Sequence, residues 1–131
     1  MPYSIGGVMA QTVLVVDDSQ MQCEALRELL ESAGLHAVTA TNSKEAFALM
    51  ESEGPRVALF DLVLGDGENG VDLYKALHDK YPSLKGIIYT GYGPEEEVRL
   101  IVDAIHEGMI DEFLRKPMAP EEVVAAVKKH L

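Results

Sequence analysis

Five short apolar runs alternate with five stretches of helical periodicity along the chain. The runs at 13–16, 37–40, 57–60, 86–89 and 112–114 are β-branched or aromatic-rich and too short for helices, so they read as buried strands. Leu26, Leu29, Leu30 and Ala33 recur at i, i+3, i+4 and i+7, and Gly34 follows as a stop. A second helix starts with Asn42 or Ser43 as N-cap, carries Ala46, Leu49 and Met50, and stops at Gly54-Pro55. A third uses Val71, Tyr74, Leu77 and Tyr81 and ends before Pro82. The fourth opens with Pro94 and the acidic run Glu95, Glu96 and Glu97, favourable at a helix N-terminus, and its apolar face is Val98, Ile101, Val102 and Ile105. The fifth runs from Pro120 with Val123, Val127 and Leu131.

Strand–helix alternation with short links predicts an α/β fold with a parallel sheet covered on both faces. Right-handed crossovers narrow this to a doubly wound five-stranded sheet with five helices, flavodoxin-like in order 2-1-3-4-5. Such sheets bind ligands beyond the carboxyl ends of their strands, at the switch between strands 1 and 3. The residues that close each strand are therefore the ones to weigh.

Composition narrows the function. The 131 residues are expected to form one domain at 12–131 behind a flexible extension at 1–11, without room for a separate output module. The extension has neither a basic start nor a long apolar stretch, so it does not read as a signal peptide. No run approaches the roughly 20 apolar residues of a membrane span, and the cytoplasm is the expected compartment. Net charge is −11, from 22 acidic and 11 basic side chains, which argues against direct nucleic-acid binding and against acidic membranes. Cys23 is the only cysteine and sits in a helical pattern, where it reads as a packing residue. His36, His78, His106 and His130 are scattered singly and read as isolated surface groups.

Strand 1 ends in Asp17-Asp18, with Ser19 opening the first helix, and strand 3 ends in Asp61. If strands 1 and 3 are neighbours, three carboxylates converge, and they repel strongly unless a cation joins them. Hard oxygen ligands of this kind suit Mg2+. Strand 4 ends in Thr90-Gly91, and strand 5 is followed by Lys116-Pro117. Taken singly, an acidic pair before a helix is usually a cap, a threonine after a strand a turn residue, and a lysine a solvated charge. Together they supply a carboxylate nucleophile, metal ligands, a hydroxyl and an ammonium, the parts that stabilise a transferring phosphoryl group.

The series Val-Leu-Val-Val-Asp17-Asp18-Ser, Ala-Leu-Phe-Asp61, Ile-Ile-Tyr-Thr90-Gly and Phe113-Leu-Arg-Lys116-Pro117 resembles the receiver domain of bacterial response regulators, over about residues 12–131. The resemblance implies that Asp61 is a phosphoacceptor served by a histidine kinase or a histidine phosphotransfer protein. It implies that Asp17, Asp18, Asp61 and the main-chain carbonyl of Val63 hold Mg2+, and that Thr90 and Lys116 contact the acyl phosphate. Phe113 matches the aromatic that changes rotamer on phosphorylation, with Thr90 as its companion in the switch, and the Lys116-Pro117 bond is expected to be cis. Output is implied through the face of helix 4, strand 5 and helix 5, onto a downstream protein or a fused output domain. By the same resemblance the module is a signalling switch, catalysing only its own phosphorylation and dephosphorylation. Val63 and Tyr92 flank the approach of water to the phosphate in this family, and their apolar or bulky side chains imply slow self-dephosphorylation.

Two departures stand out. The family places a proline four residues after the phosphoacceptor and a glycine eight after it; here Gly65 stands at the first place and Gly70 one residue beyond the second. The segment 62–70 is accordingly one residue longer and, with Gly65, Gly67 and Gly70, is expected to be more flexible. The stretch from Thr90 to Lys116 is also longer than in the single-domain chemotaxis receiver. A calcium loop starting at Asp66 fails because Leu77 stands where the EF-hand glutamate belongs. An aspartyl phosphohydrolase would need a second acid two residues after the nucleophile, where Val63 stands. A receiver-like module that only binds a partner remains the other alternative.

Overall fold

The computed structural model describes residues 4–5, 8–9, 11–91, 99, 103, 106–108 and 110–131. The predicted helical face Val98, Ile101, Val102 and Ile105, with Pro94, Glu95, Glu96, Glu97 and Tyr92, lies outside the described residues; Arg99, Asp103 and His106 are helical. Within 1–11, Ser4–Ile5 and Val8–Met9 pair antiparallel.

The main sheet has five parallel strands: β1 (Thr12–Val16), β2 (His36–Ala40), β3 (Val57–Asp61), β4 (Lys85–Thr90) and β5 (Glu112–Arg115). Their order is β2-β1-β3-β4-β5, the predicted 2-1-3-4-5. Helices α1 (Gln20–Ser32), α2 (Ser43–Glu53), α3 (Gly70–Lys80) and α4 (Pro120–Lys129) connect or close it. Among these, none is long and apolar enough to cross a membrane.

Helix starts follow local chemistry. The side chains of Ser19, Asn42 and Asn69 accept hydrogen bonds from the amides of Gln22, Glu45 and Asp72, each satisfying a donor the first turn leaves free. Glu45 reaches back to the amide and hydroxyl of Thr41, both at 2.8 Å. Helix α4 instead begins with Pro120, whose missing N–H costs nothing in the first turn.

Strand parity sorts the core into two layers. Leu14, Val16, Phe60 and Ile88 point to one face, against Met50 of α2 and Tyr74 and Leu77 of α3. Val13, Val15, Leu59, Ile87 and Tyr89 point to the other, against Cys23, Leu26 and Leu30 of α1 and Val123 and Val127 of α4. Cys23 is fully buried, as its packing role requires.

The reading of all four histidines as surface groups is corrected. His36 is buried where it opens β2 opposite Thr12 of β1, and its Nδ1 lies 3.8 Å from Glu31 Oε2. His130 is largely covered, 3.4 Å from Glu112, and His78 sets its ring edge-on to Tyr74 at 5.5 Å. His106 is exposed, as expected.

Candidate functional site

Register and parity assemble the site. Val13 pairs with Val57 and Asp61 with Tyr89, so Asp17, Asp61 and Tyr89 fall in one row across β1, β3 and β4, on the α1 side of the sheet. Asp18 follows Asp17 out of the strand. Asp17, Asp18 and Asp61 each offer a carboxylate oxygen within 4.8 Å of the others. Asp17 is buried, Asp61 half-buried and Asp18 exposed. This donor set of hard, anionic oxygens fits a divalent cation such as Mg2+, whose charge would offset their mutual repulsion.

Each acid is held differently. Asp17 accepts from the Ser19 amide at 2.9 Å through Oδ1 and from the Tyr89 hydroxyl at 2.7 Å through Oδ2. Asp61 accepts from the Val63 amide at 3.3 Å through Oδ1, while Oδ2 lies 3.5 Å from the Lys116 ammonium. The Lys116 amide donates to the Thr90 carbonyl at 2.8 Å, which ties the segment after β5 to the end of β4, and the Lys116-Pro117 bond is cis, as expected. Thr90 is buried at the sheet edge. Phe113 pairs with Ile88, so by parity Thr90 and Phe113 share the α3 side of the sheet, where Phe113 packs half-buried against the core.

The 62–70 segment has internal hydrogen bonds of its own. Asp66 and Gly67 both have positive φ, 60° and 76°, and the Glu68 amide donates to the Gly65 carbonyl, which makes a tight turn on Asp-Gly. Val63 bridges Asn69 antiparallel, and the Gly70 amide donates to the Leu62 carbonyl at 2.8 Å. The segment forms a small hairpin that returns the chain to α3, with Leu62 and Leu64 buried and Val63 43% exposed. The Asp-Gly pair was the sequence signal for it. Gly70 serves close approach: a Cβ there would collide with the Asp61 carbonyl oxygen and sit 3.0 Å from Phe60 Cβ.

Electrostatics follow the geometry. Burial, and then the neighbouring Asp17 charge, push the Asp61 carboxyl above its ordinary pKa, with Lys116 opposing the shift. Burial and Asp17 likewise hold the Tyr89 phenol far above its usual range, so it stays a hydrogen-bond donor. A carboxyl whose folded pKa exceeds its unfolded value keeps its proton better when folded. Its ionisation therefore subtracts stability as pH rises from the unfolded pKa through the folded one. Without divalent cations, Asp61→Asn is expected to melt roughly 2–4 °C above wild type at neutral pH. The gap should close on acidification below the ordinary carboxylate range. A lower melting temperature for the variant at neutral pH would contradict this.

Sequence reasoning anticipated Asp17, Asp18, Asp61, Thr90, Lys116 and Phe113 at the carboxyl edge or in the strands leading to it, and the structure brings the three acids and Lys116 together. It missed Tyr89, whose signal was a polar-tipped ring in an otherwise aliphatic buried strand, one residue before Thr90.

A parallel five-stranded sheet with an acidic trio and a lysine at its carboxyl edge defines a class of signalling module, and comparison with known proteins bears this out. The chain belongs to the response regulator receiver domain family, whose model matches residues 13–128. It is 32% identical over 123 residues to the two-component response regulator PprB of Pseudomonas aeruginosa, covering 90% of this chain and 42% of that protein. It is also 32% identical to the C4-dicarboxylate transport transcriptional regulatory protein DctD of the same organism, covering 93% of this chain and 26% of that protein. The chain thus spans less than half the length of these two relatives. Among solved structures, a CheY-like response regulator receiver domain protein from Methanospirillum hungatei is similar at a TM-score of 0.79 and 28% identity, with 92% of each chain covered. The chain is a receiver domain of two-component response regulators, a signalling module.

Proposed function

We propose that this receiver takes a phosphoryl group onto Asp61 from the phosphohistidine of a histidine kinase or a histidine phosphotransfer protein. An Asp61 carboxylate oxygen attacks phosphorus, the P–N bond breaks, and the imidazole leaves, so the product is an acyl phosphate. The observation that carries this reading is the convergence of Asp17, Asp18 and Asp61 within 4.8 Å, with the Lys116 ammonium 3.5 Å from Asp61.

Asp17, Asp18, Asp61 and the Val63 carbonyl are the proposed Mg2+ ligands, and the ion would supply charge neutralisation on the transferring oxygens. Lys116 holds Asp61 before transfer and stays near the new phosphate oxygens afterwards. Thr90, at the end of β4, donates its hydroxyl to the phosphate. Thr90 and Phe113 share one side of the sheet, which supports a switch in which movement of Thr90 opens space for the Phe113 ring. The output surface is then the predicted fourth helix, β5 and α4, presented to a downstream protein or a fused output domain. We place the signalling unit at 12–131, with 1–11 as an extension, and its work in the cytoplasm. Contact with nucleic acid falls to the partner or output domain, since a net charge of −11 opposes it here.

Incubation with acetyl phosphate and Mg2+, followed by intact mass measurement, tests the reading. Wild type is expected to gain about 80 Da as one phosphoryl group, and the gain is expected to vanish in Asp61→Asn and in excess chelator. A persistent gain in Asp61→Asn would move the acceptor elsewhere. No gain in wild type, from acetyl phosphate or a phosphorylated histidine phosphotransfer protein, would leave a module that only binds.

A further inference from the structure

We infer that Tyr89 is a positioning residue for the phosphoryl-transfer site, its hydroxyl orienting Asp17 toward a divalent cation and its ring seating the Lys116 ammonium. The inference rests on the reading of the site proposed above.

Tyr89 is fully buried in β4, between the aliphatic Ile87 and Ile88 and the edge of the sheet. A phenol in such a strand loses its water, so its hydroxyl needs a partner inside the protein. That partner is Asp17 Oδ2, at 2.7 Å. With the Ser19 amide on Oδ1 at 2.9 Å, both carboxylate oxygens are pinned and the group cannot rotate freely. Each oxygen still has a lone-pair direction left for a cation, because an ionised carboxylate offers about four. Outer partners of this kind set the direction in which a ligand presents its electrons.

The ring makes the second connection. Lys116 Nζ lies 5.0 Å from the Tyr89 centroid and 3.5 Å from Asp61 Oδ2. That distance is inside the roughly 6 Å reach of a cation–π contact, so the ring face holds the ammonium against the carboxylate. Because Asp61 and Tyr89 are register partners, one side chain of β4 reaches an acid just after β1 and a cation just after β5. Phenylalanine would keep the ring and lose the hydroxyl, and leucine would lose both, so the two connections are separable.

The test uses the full chain as wild type, Tyr89→Phe, Tyr89→Leu and Asp61→Asn. Mg2+ affinity is read by calorimetry, phosphorylation by acetyl phosphate as a rate against Mg2+ concentration, and folding by circular dichroism. Tyr89→Phe is expected to bind Mg2+ roughly tenfold more weakly, with most of its lost rate recovered at saturating Mg2+. Tyr89→Leu is expected to lose a further factor of about five in rate that Mg2+ does not restore. A Tyr89→Phe affinity within about twofold of wild type overturns the hydroxyl's role, whatever the fate of Tyr89→Leu. If wild type binds no Mg2+, or Asp61→Asn is still phosphorylated, the site reading itself has failed; a responsive wild type with an unchanged Tyr89→Phe rejects this inference alone.

Discussion

Asp18→Ala is expected to lose both its response to Mg2+ and its phosphorylation while keeping its fold. Asp18 is exposed, at the start of the turn into α1, and its carboxylate faces those of Asp17 and Asp61 within 4.8 Å. Removing it deletes one proposed ligand and one member of a repelling trio, and nothing in the core rests on it. Without divalent cations the variant should therefore melt no lower than wild type. Mg2+ at about a hundred times its dissociation constant should stabilise wild type by about 2.7 kcal/mol, and the variant by far less. The rate of phosphorylation by acetyl phosphate should fall by at least roughly a hundredfold. Paired melts with and without Mg2+, plus the phosphorylation rate, check this. A variant that is clearly less stable in chelator, or that keeps its Mg2+ response, would remove Asp18 from the site.

Gly70→Ala carries the largest expected loss of stability. The glycine is the first residue of α3 and packs on the last two residues of β3, with the Asp61 carbonyl carbon 3.1 Å and Phe60 Cβ 3.0 Å from where a Cβ would stand. Those are backbone and buried core atoms, so the neighbours cannot swing aside as an exposed side chain would. The Gly70 amide is also bonded to the Leu62 carbonyl, which fixes the helix start against the strand end. Inserting one methyl group is expected to cost about 3 kcal/mol. That lowers the melting temperature by roughly 10 °C. Because the displaced atom belongs to Asp61, phosphorylation should slow in the residual folded protein as well. Gly67→Ala is the contrast: its Cβ would meet open space, and only the positive φ of 76° is against it. It should cost about 1 kcal/mol and leave phosphorylation alone. Equal stability of Gly70→Ala and wild type in a denaturant titration would disprove the tight seat.

Much of this molecule could be read before any coordinates. The apolar runs ending at Val16, Phe60 and Tyr89 name the central strands because a buried parallel strand must be apolar on both faces. Ser19 and Asn42 announced helix starts because their side chains satisfy free amides within three residues. Asp17 and Asp61 were placed at one edge by the order 2-1-3-4-5, since that order makes their strands neighbours. These are local or topological facts, and local composition carries them.

Tertiary structure decided what depends on register and close approach. Periodicity shows which face a residue takes, but gives no distance across strands. That the Tyr89 hydroxyl meets Asp17, 72 positions away, follows from the pairing of β3 with β4 and β1, which no local pattern reports. The same limit applies to His36, which stands one residue before the predicted strand at 37–40 and is buried in the folded chain. Nor could any local pattern show that the Asp61 carbonyl stands where a side chain at Gly70 would be. The chain by itself determined the five strands of the main sheet, their order, the helices α1 to α4 and the acids at the sheet edge, because spacing and capping act within a few residues. Which side chains hold those acids in place was left to the packed sheet, because strand register alone brings distant residues within hydrogen-bond reach.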